Sequence, residues 1–109
     1  MPNGHDRNLV RLRLALEGFR VLHGHWPQRV RLEQGYIDDF RDLLTEEGYQ
    51  QLISKLELVP DSIAGIRAED DQGASYTYGT DNSPRIPGHV KGTEWLGQLQ
   101  MKSWTDGSL

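Results

Sequence analysis

Cysteine is absent from the chain, which excludes disulfides, thiolate metal sites and cysteine nucleophiles together. A cysteine-free chain suits a reducing compartment, and the expectation is a cytoplasmic protein. Long apolar runs are missing too. The opening residues are polar, and the apolar stretch after them is broken by Arg11, Arg13 and Arg20. A secretory signal needs an unbroken apolar core, and a membrane span needs roughly 20 such residues; neither is expected. No glycine-rich phosphate loop, HExxH pair or GxSxG elbow is present, so the common signatures of nucleotide, metalloprotease and hydrolase chemistry are lacking. Internal repeats and low-complexity tracts are also lacking.

What remains is ordinary in amount and uneven in arrangement. With 109 residues, 36% of them hydrophobic, the chain can build one modest core. Residues 1–41 hold seven arginines against five acids, +2, whereas residues 42–109 hold five bases against eleven acids, −6. Between positions 7 and 31 every base is arginine, six in all, and Glu17 is the lone acid. Guanidinium forks suit carboxylates and phosphates. The same arginines can pair with the chain's own acidic half, and the net charge of −4 argues against a dedicated nucleic-acid binder.

Periodicity gives the elements. Leu9, Leu12, Ala15, Leu16, Phe19 and Leu22 recur at helical spacing and predict a helix over 8–23, capped by Asp6 or Asn8 and stopped at Gly24. Arg13, Glu17 and Arg20 fall on its opposite side. A strand over residues 9–16, with Val10, Leu12, Leu14 and Leu16 alternating, is the competing pattern. Residues 29–33 alternate as a strand. Residues 34–44 form a helix with Tyr36, Ile37, Phe40, Leu43 and Leu44 inward. Thr45 opens a third helix that carries Tyr49, Leu52, Ile53 and Leu56 inward. Residues 56–59 read as a strand. Two β runs, 63–69 and 74–78, flank the turn Asp70-Asp71-Gln72-Gly73 and predict a hairpin. Residues 80–92 read as loop, Thr93 to Leu96 as one helical turn with Trp95 and Leu96 docking on the domain, and 97–109 as frayed apart from Trp104.

The expected fold class is α+β, with three helices packed on one face of a mixed or antiparallel sheet of about four strands. The expected organisation is a compact domain over 1–79 and a loop-rich extension over 80–109 that packs on it. Such a sheet leaves one face to cover, and a second subunit would cover it, making a homodimer.

Candidate sites are few. His23 and His25 could take a divalent metal, joined by His5 or His89, although two-residue spacing and the lack of a nearby carboxylate favour a helix terminus instead. Asp70 and Asp71 with Glu69 could act as paired carboxylates, but turn chemistry accounts for them better. Tyr76 and Tyr78 share one strand face, and Trp26 and Trp95 could join them in an aromatic pocket or interface. The leading expectation is a non-enzymatic interaction domain that self-associates through its sheet and requires no cofactor. Trp26, Tyr76, Tyr78, Trp95, Arg29 and Arg31 are its ligand or interface candidates, for an unidentified protein or small molecule. The alternatives are a small-ligand-binding protein or metal-dependent enzyme built on His23, His25 and Asp70, and an adaptor for an acidic partner built on Arg11, Arg13, Arg29 and Arg31. Neither a membrane nor a nucleic acid is an expected partner.

Overall fold

The computed structural model describes residues 4–97 and 99–101, with side chains from Arg7 onward. Helix α1 spans Gly4–His23, strand β1 Arg29–Leu32, helix α2 Gln34–Leu43 and helix α3 Glu46–Lys55. Strands β2 (Glu57–Pro60), β3 (Ile66–Glu69) and β4 (Ser75–Tyr78) follow, and a short helix α4 covers Gly92–Leu96. The fold is α+β, as the periodicity predicts, with four helices rather than three. Trp104 lies outside the described residues.

The helical reading of residues 9–16 holds, because a helix gathers Leu9, Leu12, Ala15, Leu16 and Phe19 on one buried stripe. Each such large side chain, fully buried, stabilises by roughly 1.5–3 kcal/mol. Leu22 departs from the expected stripe and is 52% exposed. His23, one turn on from Phe19, packs on it instead, with ring centroids 4.6 Å apart. Ile53 is likewise exposed, since Tyr49, Leu52 and Leu56 define the inner stripe of α3.

The sheet runs in the order β2-β1-β3-β4. β1 pairs in parallel with β2, Val30 opposite Leu58, and antiparallel with β3, Val30 opposite Ala68. β3 and β4 form the expected hairpin, with Ala68 opposite Tyr76. Alternation sends Val30, Leu32, Ile66, Ala68 and Tyr76 into the core. Arg29, Arg31, Arg67 and Glu69 project from the opposite face. Gly18 lets α1 lie against Tyr76, since a Cβ there would overlap the phenol ring. The Asp70 carboxylate shapes the hairpin turn by accepting from the N–H of Gln72 at 2.9 Å and of Ala74 at 3.0 Å. Gly73 completes the turn at φ +91°.

Glu17 departs most from the sequence expectation. It was expected in solvent with Arg13 and Arg20, yet it is buried and accepts the Gly92 N–H at 2.8 Å. Arg13 sits beside it, 3.6 Å away. A buried carboxylate on α1 therefore caps the amino end of α4. Leu96 and Leu99 then enter the core, Gln51 donates to the Leu96 carbonyl, and Thr45 N–H donates to the Gln100 carbonyl.

Candidate functional site

The outer face of the sheet carries charges in place of an apolar surface. Arg29 approaches Glu57 at 3.3 Å and Glu69 at 3.4 Å and also pairs with Asp71. The hydrogen bonds it donates, to Asp71 first and Glu57 next, hold its pKa above the ordinary arginine value. Arg31 meets Glu69 at 2.9 Å and Asp61 at 3.7 Å, and Arg67 leans on the second oxygen of Glu69. Two of the residues singled out for a ligand or interface, Arg29 and Arg31, are thus engaged with the chain's own acids. The edges of the sheet are also occupied. On β4, His23 Nε2 donates to the Ser75 carbonyl, and Thr77 N–H donates to Asp81. On β2, Pro60 has no N–H to offer another strand.

The histidine corner explains itself without a metal. His25 Nε2 lies 2.7 Å from Asp70 Oδ2, and its Nδ1 lies 3.0 Å from the His23 carbonyl oxygen. A His–Asp contact suggests acid–base chemistry, but such a base needs one ring nitrogen facing substrate. Both ring nitrogens of His25 lie within hydrogen-bond distance of protein oxygens. The His25 hydrogen bond is the main cause that lowers the Asp70 pKa, against the opposing push of burial, with help from the Gln72 and Ala74 N–H groups. His23 turns to Ser75, and His89 is exposed in the 80–92 loop. The side chain of His5 lies outside the described residues. Among the described residues, no three His, Asp or Glu side chains gather closely enough to hold a metal ion.

The four aromatic candidates split into two pairs. Tyr76 is buried in the core, its hydroxyl 3.3 Å from Ser83 Oγ, and Tyr78 packs against the same core. Inward alternation on β4 removes Tyr76 from any surface role. Trp26 and Trp95 do meet, stacked with centroids 5.0 Å apart and planes 10° from parallel. Arg20 lies over the Trp26 ring and Lys55 over the Trp95 ring.

A cleft among the described residues lies elsewhere, beyond the carboxyl ends of the parallel strands β1 and β2. It has a volume of about 910 Å³ and is bounded by Asn8, Arg11, Gly35, Tyr36, Asp39 and Asp61 among others. β1 ends at its floor and α2 begins there at once. No side chain caps the amino end of α2, its first turn holds no acid, and the Tyr36 N–H donates to the Glu33 carbonyl at 3.0 Å, which leaves the turn's earlier N–H groups without an intrahelical acceptor. Gly35, in that first turn, has nothing within 4 Å of where a Cβ would stand. Asn8, buried within α1 rather than capping it, donates to Asp39 and accepts from Arg11 Nη1 at 2.6 Å. This amide bridges α1 and α2 and orients a guanidinium and a carboxylate at the cleft. Asp61 and Glu33 add two further carboxylates.

Sequence reading missed this site because its residues come from three separated segments. Two signals were available: an amide inside a helix, and a glycine opening one without a capping hydroxyl. Comparison of the chain with protein-family models, curated proteins and solved structures gives no match.

Proposed function

We propose that the protein is a non-enzymatic binding module whose ligand is a small polar molecule carrying both an amine and an acid group, held in the cleft beside Gly35. The observation that carries this reading is the position of the cleft at the carboxyl ends of the parallel pair, where open sheets with crossover helices bind ligands. The lining presents charges of both signs: Arg11 and the amino end of α2 suit a carboxylate, and Glu33 suits an ammonium, beside Asp39 and Asp61, which Asn8 and Arg31 already hold. Self-association through the sheet, the expectation from the sequence, ranks behind this reading, because a second copy would have to desolvate the Arg29–Glu69 ladder.

The test is calorimetric titration with free glutamine, arginine and glycine, paired with Gly35→Ala. Alanine in a helical turn stabilises by roughly 0.5 kcal/mol over glycine, and here it meets no neighbour. The variant is expected to keep or raise its Tm and to bind the amino-acid probe at least tenfold more weakly, since the new methyl stands in the cleft. Absence of saturable binding by every probe, or equal affinity in Gly35→Ala, would reject the reading.

A further inference from the structure

The Trp26–Trp95 stack carries a second inference, independent of the cleft. Most cations on the sheet are neutralised by acids, as at Arg29, Arg31 and Arg67. Arg20 and Lys55 are different. Each sits over one indole, 5.9 Å and 5.7 Å from the ring centroids, and neither has an acidic partner among the described residues. Trp26, Trp95 and Arg20 are half-buried and Lys55 is exposed. In a chain with 16 acids and 12 lysines and arginines, two cations without an acid, framing an accessible aromatic pair, form a local positive surface.

We infer that the Arg20–Trp26–Trp95–Lys55 column is a docking surface for a short acidic peptide segment of another protein. The guanidinium offers a planar fork to one carboxylate and the ammonium a point charge to a second, while the indole edges between them receive apolar stems. The two carboxylates must straddle both rings, so an extended segment with acids roughly four to six positions apart fits, at about 3.3 Å per residue. A peptide is favoured over a nucleic acid because the surface has only two cations on a molecule of net charge −4, too few to draw affinity from a phosphate chain. The column also clamps α4 to the domain, and a role limited to that clamp is the alternative the test must separate.

The experiment follows tryptophan fluorescence of the full chain during titration with a decapeptide bearing glutamates at positions 3 and 8, at low and high salt. Wild type is expected to show saturable binding that weakens at least tenfold with added salt. The Arg20→Gln/Lys55→Gln double variant should lose that binding, and Arg20→Lys/Lys55→Arg, which keeps both charges over the rings, should retain most of it. Thermal melts accompany each variant. A double variant that melts lower yet binds the peptide equally would leave only the clamp and overturn the proposal. Absence of a saturable signal in wild type would also overturn it, as would preference for an oligothymidylate over the peptide. Should the double variant fail to fold, the salt dependence of wild type and the charge-retaining variant still decide the matter.

Discussion

Single residues carry much of this architecture. Asp70 accepts from two turn N–H groups and from His25, and its pKa in the folded chain is lowered. A carboxylate whose pKa falls on folding adds stability that is complete above its ordinary value and is lost as pH drops through that value toward the folded one. Wild type and Asp70→Asn are therefore expected to differ most in urea midpoint at pH 6, and the gap should narrow below about pH 4. A gap that is constant with pH would show that Asp70 acts through its shape alone. Gly18 makes a different demand, because Tyr76 occupies the space of its missing Cβ. Gly18→Ala is expected to cost roughly 1–3 kcal/mol by overpacking, although alanine favours a helix. A chemical-denaturation curve displaced toward greater stability would refute that contact.

The elements were readable where one physical rule acted alone. Val30 and Leu32 alternate with Arg29 and Arg31, and a strand follows directly. The hydroxyl of Thr45 before Glu46 and Glu47 announces α3, and Thr45 Oγ1 does accept the Gly48 N–H at 3.1 Å. Thr45→Ala is expected to lose about 1 kcal/mol in urea unfolding, and an unchanged midpoint would contradict the cap. Reading faltered where a distant segment overrides the local pattern. Glu17 has helical neighbours that place it with Arg13 and Arg20, and only the return of Gly92 explains its burial. Asn8 looked like a cap because its partner, Asp39, is 31 positions away. The stack of Trp26 on Trp95 joins segments no periodicity links. Single and double alanine variants there should yield a coupling energy of about 0.5–1.5 kcal/mol; additive losses would mean that the rings do not support each other.

For the whole molecule, no described helix is long and apolar enough to cross a membrane, and a charged outer face lies opposite a single hydrophobic core. One end of the parallel pair is closed by the Arg29 network, and the other opens into the cleft where α2 starts uncapped. That asymmetry underlies the proposed binding function. It is tested most directly by amide chemical-shift mapping of the ¹⁵N-labelled chain during titration with free glutamine. The proposal predicts saturable shifts concentrated at Gln34, Gly35, Tyr36 and Ser62, all lost in Gly35→Ala. A flat response at those amides, or shifts confined to the Arg29–Arg67 face, would contradict it.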